Sequence, residues 1–259
     1  MPELPDLEVY RKNLTKKVVG KKVDAVLVYN PRKLTLSGEA DIDVLASDTI
    51  AAIERNGKEL FFRFGKGHHI GVHLMLNGFF SIGTDIAQVP YKLFALEMHP
   101  FYLVISDPKG LANVSLDKPL PSVPDALSDQ FSLDYLKAVL RKKRSKNIKA
   151  ILIDQAIVRG IGNAYADEIL WAAKISPESQ AGKIPEQAVA HLFQTIESVL
   201  KRSISEIIAI APDAISGEVR DFMRVHHKNK KTCPNGLPIQ HKKIASKTTY
   251  FTAEQVVYG

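Results

Sequence analysis

Leu7, Tyr10, Leu14 and Val18 recur at three- to four-residue spacing, which predicts an amphipathic helix near the start of the chain, with Gly20 as its stop. From Lys22 onward the period changes. Short runs rich in Val, Ile, Phe and Leu occupy 23–29, 50–54, 59–64, 69–74, 79–82, 93–97 and 101–106, and Gly, Asn, Asp and Pro punctuate them. These read as strands. One helix followed by many short strands predicts a β-sandwich or barrel with the helix packed on it. Three prolines within 117–125 mark a linker. Beyond it the helical period takes over: Ser132 can cap a helix running to about 141, and 148–155, 163–173 and 185–209 continue the series, with Pro185 suited to the first turn of the last. From about 222 the turn chemistry of Cys-Pro-Asn-Gly and Gly-Leu-Pro separates two extended stretches, which predicts a terminal β-hairpin. The class is α+β, and no internal repeat is visible.

Charge sharpens this division. Residues 1–120 hold 15 Lys/Arg against 14 Asp/Glu, whereas 121–259 hold 20 against 14. The last stretch, 222–259, sets Arg224, Lys228, Lys230, Lys231, Lys242, Lys243 and Lys247 against Glu254 alone. A basic excess confined to one part of a chain fits either a polyanion partner or a solvated face. The basic run Arg141–Lys146 between two helices is open to the same two readings. Apolar runs are too short to span a bilayer, and the first residues lack a basic-then-apolar leader, so a cytoplasmic protein is expected. The single cysteine, Cys233, excludes an internal disulfide and a cysteine-rich metal cluster.

Two places carry candidate chemistry. The chain begins Met-Pro-Glu-Leu-Pro. Removal of Met1 exposes a secondary amine at Pro2, with a pKa of about 8, able to attack C1′ of a deoxyribose and form an iminium. Glu3 beside it could move protons. By itself a proline at position 2 is an ordinary residue. The second place is the run from Asp154 to Glu168, where Gly160 and Gly162 leave backbone N–H groups uncovered at the start of a helix, a ready anion site. Asn163 can cap that helix or donate to a phosphate. An ordinary helix–turn–helix corner is the bland alternative.

Pro2-Glu3-Leu4-Pro5, together with Gly160-Ile-Gly162-Asn163-Ala-Tyr165-Ala-Asp-Glu168, resembles the formamidopyrimidine-DNA glycosylase/endonuclease VIII family across nearly the whole chain. The resemblance implies an N-terminal helix and two-sheet β-sandwich in a catalytic domain at 1–120, a linker at 121–131, a helix–two-turn–helix DNA-binding domain at 132–221 and a β-hairpin finger at 222–259. It gives Pro2 the role of nucleophile, Glu3 that of proton-transferring carboxylate, and Lys58 that of the strand lysine gripping a phosphate beside the lesion. Asn163, Gly162 and Tyr165 fall in its DNA-binding run, and Met75, Leu76 and Asn77 in the loop that fills the gap left by an extruded base.

Departures from the family pattern matter as much. Asp6 stands where a second glutamate is usual, one methylene shorter. The segment Asp107-Pro-Lys109-Gly-Leu111-Ala112 replaces an arginine that reads the opposite cytosine with Lys109, and a phenylalanine wedge with Leu111. Lysine lacks the bidentate fork, so opposite-base discrimination is expected to weaken. The four zinc-ligand positions of the finger align with Cys233, Gly236, Thr252 and Gln255, and one thiol cannot hold a structural zinc. His226, His227 and His241 have no ligand spacing and are expected on a solvated basic face. A zincless finger follows, its DNA-contacting arginine replaced by Lys247.

The implied activity is a base-excision-repair DNA glycosylase and AP lyase acting through a proline Schiff base. Oxidised pyrimidines and ring-opened purines are favoured over 8-oxoguanine. The expected partner is double-stranded DNA with damaged bases or abasic sites, bound by a monomer without cofactor, metal or membrane. The alternative is a non-catalytic relative that binds damaged DNA or abasic sites on the same scaffold.

Overall fold

The computed structural model describes residues 1–37 and 41–259, which fall into two units. The first contains Met1–Pro121 and Ile207–Glu218; the second contains Ser122–Glu206 and Val219–Gly259.

The first unit opens with α1 (Leu4–Val18), the helix expected from the spacing of its apolar residues. Its start is sharply specified. Pro5 sits in the first turn, where its missing N–H has no helical partner to lose. The carboxylate of Asp6 accepts the Glu3 backbone N–H at 2.8 Å, and the Glu3 carboxylate accepts from the Asp6 N–H, a reciprocal capping box. The shorter acid at position 6 thus keeps a full contact. Leu4, Leu7, Val9, Tyr10, Leu14 and Val18 are buried.

The strands are β1 (Ala25–Val28), β2 (Leu34–Leu36), β3 (Ile50–Asn56), β4 (Glu59–Phe64), β5 (His69–His73), β6 (Phe79–Gly83), β7 (Lys92–Met98), β8 (Phe101–Ser106) and β9 (Asn113–Leu116). They form two sheets, a four-stranded one in the order β1-β7-β8-β6 and a five-stranded one in the order β2-β9-β5-β4-β3. All pairings are antiparallel except β2 with β9. One apolar core joins α1 to both sheets, with Leu14, Leu60, Phe62, Val72, Phe80, Phe94 and Ile105 among its members. The seven expected strands are present; β2 and β9 are additions.

The second unit holds α2 (Leu133–Lys142), α3 (Ile148–Leu152), α4 (Asn163–Ala172) and most of α5 (Glu186–Ile210), then the hairpin β10 (Gln240–Ile244) and β11 (Lys247–Phe251). Ser132 caps α2 through the Tyr135 N–H at 3.1 Å, as expected. Helix α3 is shorter than the expected 148–155, because Asp154 starts a turn instead. Its carbonyl accepts from the N–H groups of Ile157 and Val158, and its carboxylate from that of Ala156. The hairpin turn also lies elsewhere than expected. It is made by Ala245 and Ser246, both at positive φ, so the Cys-Pro-Asn-Gly and Gly-Leu-Pro segment precedes the hairpin.

Two sequence-drawn boundaries shift. Within 121–131, Asp125, Ala126 and Phe131 are buried, and the Ala126 N–H bonds to the Arg159 carbonyl at 3.0 Å, so this segment is folded into the helical unit rather than a free linker. Residues 207–218, drawn with the helical domain, belong to the first unit. Asn13 on α1 donates to the carbonyls of Pro212 and Ala214 at 2.8 and 2.9 Å, and Ala214 and Ile215 pack on the sandwich core.

A buried ion pair ties the second unit together. Lys149 Nζ on α3 lies 2.7 Å from Asp167 Oδ1 on α4, both side chains fully buried, and also donates to Thr249 Oγ1 on β11 at 2.6 Å. The other Asp167 oxygen accepts from the Tyr250 N–H at 2.9 Å and contacts His226 Nδ1 at 2.7 Å. Lys149→Met keeps the bulk of the side chain and strands the carboxylate. It is expected to lower stability by about 3–5 kcal/mol, read as a fall in Tm.

Candidate active site and nucleic-acid interface

The capping box fixes the residues ahead of α1. Pro2 is buried and Glu3 is 4% exposed, while Met1 reaches solvent. Pro2 lines a cavity of about 370 Å³ together with Leu76, Asn77, Gly78, Phe79 and the backbone turn Ser216–Glu218. That turn is held on α1. Tyr10 Oη donates to the Gly217 carbonyl, and the N-terminal ammonium of Met1 pairs with the Glu218 carboxylate. Of the residues singled out in the sequence, this cavity joins Pro2 with Leu76 and Asn77.

The loop carrying Met75, Leu76 and Asn77 follows β5. Its geometry depends on Gly78, where a Cβ would come within 2.4 Å of the Leu74 carbonyl oxygen and 2.9 Å of the Ala112 Cβ. Only glycine permits that approach, and it brings the loop against the 107–112 segment. Met75 adopts φ +53°, and its N–H bonds to His73 Nδ1 at 3.0 Å. Leu76 is 52% exposed and Leu111 38% exposed. Two large apolar side chains are thus held out into solvent on neighbouring loops and not packed in a core.

Asp107 shapes the second loop. Buried at the end of β8, its carboxylate accepts backbone N–H bonds from Lys109 at 2.8 Å and from Leu111 and Ala112 at 2.7 Å each. The loop therefore presents Lys109 and Leu111 outward. Burial pushes the Asp107 carboxyl upward, but the amides of Ala112, Lys109 and Leu111 outweigh it and hold the group below its ordinary value. Lys58 sits in the β3–β4 hairpin after Gly57, at φ +61°, and is buried rather than spread on the surface.

In the second unit, Gly160 (φ +104°) and Gly162 lead into α4, with Gly162 as N-cap. Asn163 is the first helical residue and does not cap. Its Nδ2 donates to the Thr248 carbonyl at 2.9 Å, while its buried Oδ1 has no hydrogen-bond partner among the described residues. The contact brings the helix start beside Lys247, which is exposed at the head of β11. Tyr165 lies apart from that exposed surface. It is fully buried beneath the Arg220 guanidinium, 5.4 Å from its ring centroid, and so supports the helix from within. Glu168 is also buried; it accepts the N–H groups of Arg224, Val225 and His226, all at 2.8 Å, fixing the approach to the hairpin.

His226 is likewise no solvated surface residue, being paired with Asp167. His227 Nε2 lies 3.9 Å from Asp221, and His241 is exposed beside the Tyr250 ring. Sequence reasoning gave no role to Asp107, Asp167, Glu168 or Glu218, although Asp107 and Glu168 stand within its motifs. Burial or a link far along the chain defines each of them, and neither leaves a local pattern.

With this geometry in place, the family can be assigned. The model described as the formamidopyrimidine-DNA glycosylase N-terminal domain matches residues 1–114, and the one described as the formamidopyrimidine-DNA glycosylase H2TH domain matches 123–212. The chain belongs to the formamidopyrimidine-DNA glycosylase family. A formamidopyrimidine-DNA glycosylase of Enterococcus faecalis (strain ATCC 700802 / V583) is 34% identical over 272 residues, covering 97% of this chain and 95% of the relative. One from Lactococcus lactis subsp. lactis (strain IL1403) is 30% identical over 266 residues, with 97% of each chain covered. Among solved structures, the Lactococcus lactis enzyme bound non-covalently to DNA containing an AP site superposes with a TM-score of 0.86. It is 29% identical, and 98% of this chain and 99% of that one are covered. The family's fold, an N-terminal helix with β-sheets followed by a helical domain, is the one described above.

Replacing the Asp107 carboxylate by an amide turns a donor toward backbone N–H groups that need an acceptor. Asp107→Asn is expected to cost about 1–3 kcal/mol in thermal unfolding and to weaken binding to a duplex bearing an abasic analogue. In the unaltered protein the contribution of Asp107 is fully present above the ordinary aspartate value of about 3.9. It is lost only as pH falls through the lower folded value, which a pH series of Tm checks.

Proposed function

We propose that this chain removes oxidised bases from duplex DNA using the secondary amine of Pro2, and then cuts the strand at the resulting sugar. As a member of its family it is a DNA glycosylase of base excision repair, and damaged DNA is its partner. What carries the finer reading is the placement of Pro2. It is buried ahead of a capped helix, faces a cavity of about 370 Å³, and has exposed Leu76 on the same cavity wall.

The chemistry follows from the groups available. The neutral Pro2 amine attacks C1′ of the damaged nucleotide, and the C1′–N bond to the base breaks as the base leaves with a proton. The amine loses its own proton, the C1′–O4′ bond then opens as O4′ takes up a proton, and an open-chain iminium between C1′ and the Pro2 nitrogen remains. Glu3 is the adjacent carboxylate able to carry these protons. Abstraction of a C2′ proton then expels the 3′ phosphate by β-elimination, and water releases the amine. With Met1 attached, the Pro2 nitrogen is an amide and the sequence cannot begin.

Lesion choice is read from the second loop. Lys109 offers one ammonium where a bidentate fork would read a base edge, and Leu111 offers no flat ring to stack on the unpaired partner. Oxidised pyrimidines and ring-opened purines are therefore the preferred substrates over 8-oxoguanine, with weak dependence on the opposite base. Gly162, Asn163 and Lys247 bind the DNA backbone, Lys58 a phosphate beside the lesion, and Met75, Leu76 and Leu111 fill the vacated stack. Cytoplasmic action by a monomer completes the reading; no described helix is long and apolar enough to cross a membrane.

Borohydride trapping tests the nucleophile. Protein whose mass shows loss of Met1 is expected to form a covalent adduct with a dihydrothymine duplex, and Pro2→Gly to trap at least tenfold less. Equal trapping by Pro2→Gly would remove Pro2 from the mechanism. No adduct from correctly processed protein that still binds the duplex would favour the non-catalytic alternative.

A further inference from the structure

The base of the terminal hairpin is where the finger of a zinc-bearing relative would hold its metal. The corresponding residues here are Cys233, Gly236, Thr252 and Gln255, a donor set of one thiol, one hydroxyl and one carboxamide that does not fit a tetrahedral zinc. No group of three or more His, Cys, Asp or Glu residues among those described is arranged to hold a metal ion.

Hydrogen bonds to a single carboxylate, that of Glu254, converge there instead. Its Oε1 accepts from Trp171 Nε1 at 2.7 Å, from Thr252 Oγ1 at 3.3 Å and from Asn235 Nδ2 at 3.3 Å, with Cys233 Sγ at 3.9 Å. Its Oε2 accepts from Asn235 Nδ2 at 3.0 Å and pairs with Lys174 Nζ at 2.6 Å. Cys233 and Asn235 precede β10, Thr252 follows β11, and Trp171 and Lys174 lie at the end of α4. The neighbouring Gln255 closes the loop on itself and on the helical unit. Its Oε1 accepts the Thr252 N–H and its Nε2 donates to the Ile175 carbonyl, both at 2.8 Å. A zinc ion would gather lone pairs from both arms of the hairpin. This carboxylate gathers donors from both arms and from the helix as well.

We propose that Glu254 is a positioning residue for DNA binding, clamping the finger to α4 in place of a metal so that Lys247 and the start of α4 face the backbone as one surface. The clamp is electrostatically robust. The hydrogen bond from Lys174 holds the Glu254 carboxyl below its ordinary value, against burial and with help from Asn235 and Trp171. Lys174 and Cys233 are the titratable groups facing it. The ionised clamp is therefore complete above the ordinary glutamate value of about 4.3, and opens only as pH falls through the lower folded one.

Trp171 is the only tryptophan in the chain, so its emission reports directly on the clamp. The experiment compares the full-length protein with Glu254→Ala and, should that fail to fold, Glu254→Gln. Without DNA, either variant is expected to shift Trp171 emission to the red, raise its quenching by acrylamide and speed amide exchange across 240–251. The wild-type signals should be unchanged by EDTA. With a duplex carrying a tetrahydrofuran abasic analogue, Kd is expected to rise at least tenfold. With a dihydrothymine duplex instead, the rate of borohydride adduct formation at saturating enzyme should stay within about twofold. Lys247→Ala should give a similar loss, and the double variant should be no worse than the weaker single one, because both act through the same surface.

Unchanged emission and exchange in the Glu254 variants would overturn the clamp. So would loss of the wild-type signals in EDTA with recovery in zinc. A Kd unaffected by the loss of Glu254, or losses that add fully with Lys247→Ala, would overturn its positioning role. The proposal rests on the reading of the finger as a DNA-contacting element. A wild-type protein that does not bind the duplex would refute that reading and the positioning role together, while the signals without DNA still decide whether the clamp exists.

Discussion

Lys149 and Asp167 sit 2.7 Å apart with neither side chain reaching solvent. A buried charge must be matched on every side or it unfolds its surroundings, and here the matching groups come from four parts of the chain. Lys149 belongs to α3, Asp167 to α4, Thr249 and Tyr250 to the hairpin, and His226 to the segment leading into it. The hairpin cannot shift along α4 without stranding one of these partners. The Asn163–Thr248 bond and the exposed Lys247 sit at the end of that constraint, so the surface proposed to bind the DNA backbone inherits its shape from an ion pair whose side chains are fully buried.

Carboxylates play the same part elsewhere. Asp6 turns the Glu3 N–H into the start of α1, Asp107 bends the loop bearing Leu111, and Glu168 gathers three successive amides ahead of the hairpin. Each is a buried acceptor facing backbone donors, which makes the local geometry specific. Flexible elements are thereby given fixed conformations without large apolar cores of their own. That suits the proposed DNA contacts, which stand on loops and on the hairpin.

The architecture was largely legible in the amino-acid sequence, because apolar periodicity carries it. Leu7, Tyr10, Leu14 and Val18 mark α1, and the Val/Ile/Phe runs mark seven strands. Strands β2 and β9 escaped notice because three or four residues hold too little pattern, and their pairing depends on partners about 80 positions apart, such as Leu34 with Val114. The candidate site was legible only where it resembles a family pattern: Pro2, Asn163, Leu76. Tyr165 shares a motif with those residues yet is fully buried, a placement the motif does not spell out. The roles of Asp107, Glu168 and Glu254 as acceptors left no signal, since an acid is written the same way whether it is solvated or surrounded by donors.

The return of Ile207–Glu218 to the first unit has a consequence for how the protein is made. The polypeptide crosses between the units three times, at 121–122, 206–207 and 218–219. A ribosome working from the N-terminus delivers both sheets early, yet the sandwich still lacks Ala214 and Ile215 on its core and the acceptors for Asn13. Its final closure waits until residue 218 has emerged, by which time α2 to α5 have already been made. Birth of the Pro2 cavity is therefore a late event in translation, and a nascent chain stalled before that point has its N-terminal amine in place but not the turn that faces it.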